Sequence, residues 1–343
     1  MKLNSTTSCI QAIISLVLIF ISTYLSLSQT QEWIGFTNGK DIRCLAEEGE
    51  YLWVGTAGGG LVKLNKSTGE IIVYAKWNSK LPDNYVRAIA IDGQGNKWIG
   101  TGVFIVDGPG EGLAKFDGVN WTFYNTSNSG LPDNDVSAIA IDGQGNKWIG
   151  TWGGGVAKFD GVNWTVYNTS NSGLPYDYVN AIAIDGQGNK WIGTSGGLAK
   201  FDGVNWTVYN TTNSGLPYDL VLAIAIDGQG NKWIGTGEGL AKFDGVNWTV
   251  YNTTNSGLPY DLVLAIAIDG QGNKWIGTDW KGLAKFDGVN WTVYNTWNSG
   301  LPDNNVRSIV IDRLGNKWIG TNGGLAVFRE GGVKLKKSKR RSK

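Results

Sequence analysis

The 343-residue sequence contains no histidine, one methionine, seven prolines and two cysteines. Without imidazole there is no Ser-His-Asp triad, no Cys-His pair, no His-ligated zinc or iron and no histidine proton shuttle. Cys9 falls in an N-terminal leader, so a processed chain keeps only Cys44. That excludes a disulfide, a metal-ligand spacing and a redox motif, and no metal or cofactor is expected. Apolar runs are scarce as well, and the one long example is in the leader. What is abundant is glycine, with 51 residues, about twice the usual share, together with 17 Trp, 13 Tyr and 10 Phe. Glycine without a G-X-Y period, combined with this many aromatics, fits short aromatic strands joined by tight turns. It does not fit a helical bundle, a collagen or a disordered chain.

The net charge of +1 hides a division. Residues Lys334 to Lys343 carry seven Lys or Arg and no acid. Setting those and Lys2 aside leaves 22 basic against 29 acidic residues, so the body carries about −7. An acidic body does not suit nucleic acid as a partner. The tail reads as a solvated, disordered basic terminus over 329–343, with weak contact to acidic lipid as its other reading. At the other end Lys2 precedes an apolar stretch, Ala12 to Ile21, followed by small residues with Ser26 and Ser28 at −3 and −1 of a cleavage site. Residues 1–28 are therefore expected to be a secretory signal peptide, or else an uncleaved anchor. Either reading exports the rest of the chain to a secreted or periplasmic location.

From Trp33 to Phe328 one unit repeats. Its tryptophans recur at Trp53, Trp98, Trp148, Trp191, Trp233, Trp275 and Trp318, with spacings of 45, 50, 43, 42, 42 and 43. Each unit holds four strand-like runs, exemplified by Val86–Ile91 (A), Lys97–Thr101 (B), Gly112–Phe116 (C) and Trp121–Tyr124 (D). Asp92-Gly93-Gln94-Gly95-Asn96 and Asp117-Gly118-Val119-Asn120 supply turns between them. Run A is almost uninterruptedly apolar and is expected to be buried on both faces. Four short antiparallel strands repeated at this interval describe a propeller blade. The ends fix the number of blades. Trp33-Ile34-Gly35-Phe36-Thr37 is a D run without a preceding unit, and Gly324–Phe328 is a C run without a following D. The expected fold is thus all-β, a seven-bladed β-propeller over 33–328 of four-stranded antiparallel blades. Its N-terminal strand completes the last blade and removes an open edge.

The D-G-Q-G-N-K-W-I-G-T and G-G-L-A-K-F-D elements resemble the two-component regulator propeller repeat. That resemblance implies a seven-bladed propeller of the sort found in extracytoplasmic input regions of bacterial hybrid sensor kinases, some of which recognise polysaccharide fragments. No kinase or receiver segment is found here, so a sensor-type input domain without its own kinase is expected.

The near-identical units differ chiefly in the B–C and D–A links, which an up-and-down blade places on one face. The B–C links carry Val103 to Val106, Trp152, Glu238 and Asp279-Trp280-Lys281, and the D–A links carry Tyr85, Tyr176, Tyr178, Tyr218 and Tyr260. The second residue of strand A reads Arg43, Arg87, Ser137, Asn180, Leu222, Leu264 and Arg307 round the ring. Arg43, Arg87 and Arg307 become neighbours on closure. Arg, Tyr and Trp together suit an anionic or hydroxylated ligand, because aromatic faces stack on sugar C–H surfaces and guanidinium grips carboxylate or sulfate. The alternative is that these arginines pair with nearby aspartates. Three functions stand: a monomeric, non-catalytic module binding a glycan or peptide; a scaffold docking an envelope protein; and a propeller lyase or glycosidase using Glu238 and Asp279 as acid and base.

Overall fold

The computed structural model describes residues 33–35, 41–102 and 110–330. The leader, Val103 to Val106 and the basic tail lie outside the described residues. The strands form seven four-stranded antiparallel sheets, and no described residue is helical. Six sheets take their strands in chain order, from inner strand A to outer strand D. Each A strand packs against the A strand of the next sheet, and Val306–Ile311 packs against Ile42–Glu48, so the ring closes.

The seventh blade is composite. Trp33–Gly35 lies antiparallel on Gly324–Phe328, pairing Trp33 with Phe328, Ile34 with Val327 and Gly35 with Ala326. This is the register that Trp164 and Phe159 keep in blade 3. The Trp33 ring sits 4.8 Å from that of Phe328 and 5.5 Å from that of Tyr294 in blade 6. The N-terminal strand therefore occupies the fourth place of the last blade.

The cores lie between blades. Trp148 and Val156 of blade 3 meet Leu174, Val179, Ile192, Ala199 and Phe201 of blade 4 and its entry link, and the pattern recurs round the ring. Strand B is the most deeply buried, with all five residues of Lys97–Thr101 inside. Strand A is only half buried on average, contrary to expectation. The reason is its place: A packs on an A strand to either side, while its unpaired edge borders the axis of the disc.

A polar staple fixes every tryptophan of strand B. In blade 2 the Trp98 indole N–H donates to Asp92 Oδ2 at 2.9 Å, while Asp92 Oδ1 accepts from the backbone N–H of Gln94 and Asn96. The turn closes through Gly95, whose φ of 80° suits glycine. Burial alone would raise the carboxyl of Asp92, but the indole, the Asn96 amide and the backbone donors outweigh it and hold it below its ordinary value. The same holds for Asp142, Asp185, Asp227, Asp269 and Asp312. Blade 1 uses Glu48, which accepts from Trp53 at 2.7 Å and from Lys97 of blade 2 at 2.7 Å.

A second device crosses each junction from blade 1 through blade 7. The strand B lysine of one blade lies over the indole of the blade before it, as in Lys190 over Trp148 at 4.8 Å and Lys317 over Trp275 at 4.9 Å. Each such contact contributes about 0.5–1 kcal/mol. Where blade 7 meets blade 1, Leu52 takes the lysine's place. It shares a wholly apolar cluster with Trp318, Val54, Leu64, Leu325 and Val327.

Candidate functional site

Every A strand carries a register shift after its first residue. The residue left out of the pairing is Arg43, Arg87, Ser137, Asn180, Leu222, Leu264 or Arg307. A bulge re-aims the side chain that it frees, and here it turns seven of them onto the axis. These seven residues line one cavity of about 160 Å³. They are the positions that sequence differences single out round the ring.

The face that bears this mouth is stitched from the variable links. Gly102 N–H donates to Tyr85 O in its own blade, and Gly112 N–H donates to Asn134 O at the entry of the next. Trp152, Ser195 and Asp279 make the first of these bonds in their own blades. B–C and D–A links therefore share one side of the disc.

The arginines do not form a bare basic arc. Arg43 pairs with Asp41 at 2.6 Å and lies over the Tyr85 ring at 5.5 Å. Arg307 donates to Asn322 Oδ1 at 2.9 Å and stands 3.9 Å from Asp279. Burial draws Arg87 below the ordinary guanidinium value; Asp135 opposes that effect and Arg43 adds to it. Burial pushes the Asp41 carboxyl up against the pull of Arg43 and Arg307, and it pushes Asp133 up as well. The mouth thus alternates donors and acceptors around a compensated charge. Its other half is apolar, with Leu222 and Leu264 in the cavity wall and Leu220 and Leu262 just before those strands. Ser137 Oγ and Asn180 Nδ2 each donate to the first carbonyl of the next A strand, at Val179 and Val221.

An aromatic ladder rises from Arg87. Its guanidinium lies 4.9 Å from the Trp152 ring, Trp152 is 5.8 Å from Tyr178, and Tyr178 meets Tyr176 edge-on at 5.2 Å. Trp152 and Tyr178 also form a backbone bridge between blades. Of the remaining candidates, Tyr218 is exposed and packs against Gly237 of its own blade, and Tyr260 and Glu238 are exposed on blades 6 and 5. Trp280 is exposed and held at φ 67°, with its backbone N–H bound to Asn305 Oδ1, and Lys281 follows it at the surface. The structure brings together the three arginines, Tyr85, Trp152, Tyr176, Tyr178 and Asp279. Glu238 and Asp279 lie on the B–C links of adjacent blades, 5 and 6.

Sequence reasoning missed Asp41, Asp135 and Asn305. They share one position, immediately before strand A, with Tyr85, Tyr178, Leu220 and Leu262. Reading that column round the ring, as was done for the second residue of A, would have found them. Among the described residues no three His, Cys, Asp or Glu side chains gather in a metal-binding group.

Residues 80–102, 130–153 and 300–323 match the model of the two component regulator propeller, and the chain carries repeats of that family. No curated protein matches the chain. Among solved structures, the extracellular domain of a hybrid two component system from B. thetaiotaomicron is 25% identical with a TM-score of 0.74, covering 87% of this chain and 41% of that one. A second such domain from the same organism is 20% identical, TM-score 0.70, over 87% and 40%. This chain thus spans about two fifths of the length of those domains. The fold is also that of a catalytically inactive histidine-to-alanine form of virginiamycin B lyase from Staphylococcus aureus, solved with quinupristin: 12% identity, TM-score 0.69, over 86% and 97%.

Proposed function

We propose that this chain, as a carrier of two component regulator propeller repeats, is an extracytoplasmic, non-catalytic sensor-type module that binds a neutral, hydroxyl-rich saccharide at the mouth of its axis. One observation carries the reading. Of the five buried side-chain polar atoms without a hydrogen-bond partner among the described residues, four are at the mouth: Asp41 Oδ1, Arg43 Nε, Arg87 Nη1 and Asp279 Oδ1. Buried donors and acceptors are normally satisfied, so orphans gathered at one place ask for a role. A sugar hydroxyl both donates and accepts, which suits a site that alternates arginine with aspartate. The exposed aromatics Tyr176 and Tyr178, beside Trp152, offer ring faces to sugar C–H surfaces. The charge compensation favours a hydroxylated ligand over the anionic one that the arginines alone suggested.

A lyase reading finds less support. The similar lyase is named as inactive when a histidine is replaced, and this sequence has no histidine.

The test is a panel of neutral oligosaccharides screened by thermal shift on the full chain, then titrated by calorimetry. Arg87→Gln is expected to weaken the bound sugar by about tenfold or more, the worth of a hydrogen bond to a charged group. Trp152→Ala should weaken it as well, with the thermal midpoint of the Arg87 variant close to that of the parent. A panel without any binder, or a binder indifferent to both substitutions, overturns the reading.

A further inference from the structure

A larger cavity lies away from the mouth, on the outer rim between blades 1 and 2. Its origin is legible in one residue. The N-S-G-L-P link that enters a blade presses its glycine on the strand D tryptophan of that blade. A Cβ placed on Gly130, Gly173, Gly215 or Gly257 would fall 2.3–2.4 Å from the Cβ of Trp164, Trp206, Trp248 or Trp291, and on Gly300 2.3 Å from that of Trp33. No real side chain tolerates such an approach. At the entry to blade 2 the residue is Lys80, so this link keeps the same turn hydrogen bonds and a buried Leu81 but lacks the glycine that meets the tryptophan elsewhere. A space of about 670 Å³ lies there, walled by Tyr74, Trp77, Phe116, Trp121, Lys80 and Asn120, with others at its margin.

We propose that this rim groove binds a saccharide that bears a carboxylate. The groove is of a size that holds a small ligand. Trp77 is 69% exposed at a position where the following four links carry Ser127, Ser170, Thr212 and Thr254 and the last carries Trp297, which stands in a link that keeps its glycine, Gly300. One side of Trp121 is stacked on Phe116 at 4.4 Å, which fixes the indole in place. A rigid aromatic wall with amide and hydroxyl groups of Asn78, Ser79 and Asn120 at its edge suits a sugar ring. Lys80 supplies the charge. Lys76 nearby pairs with Glu111 at 3.8 Å, whereas among the described residues no carboxylate pairs with Lys80. A ligand carboxylate completes it. The mouth differs on this point, since its arginines already have aspartates. The rim site is independent of the mouth, and either can stand without the other.

The test titrates trigalacturonate into the full chain, followed by tryptophan fluorescence and calorimetry, with cellotriose and tetraglutamate as comparisons. Trp77→Ser removes the platform, and Lys80→Gly restores the seat that closes the groove. Each is expected to weaken trigalacturonate by about tenfold or more, while Lys80→Gly keeps or raises the thermal midpoint and Arg87→Gln at the mouth leaves this binding unchanged. Absence of trigalacturonate binding at about 10 mM, or binding indifferent to both rim substitutions, overturns the proposal. Equal affinity for cellotriose overturns the carboxylate requirement, and equal affinity for tetraglutamate overturns the saccharide.

Discussion

Deleting the chain through Gly35 is expected to lower the thermal midpoint by about 10 °C, since a domain of this size loses roughly 2 °C for each kcal/mol. The deletion removes three paired residues and the Trp33 ring from its place between Phe328 and Tyr294. Truncating a large aromatic in a packed site costs about 3–5 kcal/mol, and the loss of the adjoining backbone pairs adds to it. It also uncovers Gly300, on which Trp33 sits as its counterparts sit on the other link glycines. The exposed edge of Gly324–Phe328, apolar along its length, becomes a template for pairing with other chains. Aggregation at lower temperature should accompany the drop. Trp33→Phe, which keeps a ring in the slot, should recover most of the loss. Differential scanning calorimetry decides the matter, and a truncated chain that melts with the parent removes the closure from the account of stability.

Acid should unfold the disc abruptly. Six aspartates are held below their ordinary value in the folded state by the indole, amide and backbone donors that they bind. A carboxylate depressed on folding contributes stability that is complete above its unfolded value, near 4, and is lost as pH falls through the folded one. Each proton taken up on unfolding removes up to about 1.4 kcal/mol per pH unit, and six identical staples lose it together. Asp41 and Asp133 at the mouth run the other way: burial raises them, so their protonation favours the folded form. They are two against the six staples, and Asp117, Asp160, Asp202, Asp244, Asp287 and Glu330 are likewise held below their ordinary values by the donors they bind. Stability should therefore be flat from about pH 5 to about pH 8 and fall steeply below about pH 4, with a second loss in alkali, where burial holds Tyr74, Tyr124, Tyr167, Tyr209, Tyr251 and Cys44 above their ordinary values. Asp185→Asn should cost about 1–3 kcal/mol at neutral pH, the penalty of a weakened buried acceptor, and should make the acid limb shallower. A denaturant midpoint that does not change between neutral pH and pH 3 would sink this account.

The architecture was open to reading because repetition averages out local ambiguity. A single A-I-A-I-D run fits several structures, but five copies and two variants of it, each with a W-[IV]-G-T partner, fit one. The unpaired D run at Trp33 and the unpaired C run ending at Phe328 were enough to close the ring and count its blades. The column of residues facing the axis was also legible, because copies that are otherwise alike differ there. What escaped was whatever depends on distance rather than order. The burial of strand A was overread, since an apolar run does not reveal that its unpaired edge borders the axis. The charge of the mouth was overread too. Arg43, Arg87 and Arg307 stand out in sequence, whereas the aspartates that answer two of them come from neighbouring blades, Asp135 from blade 3 and Asp279 from blade 6. The rim cavity had one sequence signal, Lys80 in the place of a glycine, and its meaning depends on knowing that the glycine touches a tryptophan.

The junction between the last blade and the first, where Leu52 and Trp318 share an apolar cluster beside the Lys66–Asp312 and Arg313–Glu47 ion pairs, has a consequence for how the ring knows its own ends. At the six other junctions a lysine covers the preceding indole, so interior blades are interchangeable neighbours, and any one could follow any other. Leu52 and Val327 break that equivalence. Leu52 stands where the other B strands carry lysine, and Val327 where the other C strands carry lysine. The point of joining is thus marked by chemistry as well as by order along the chain.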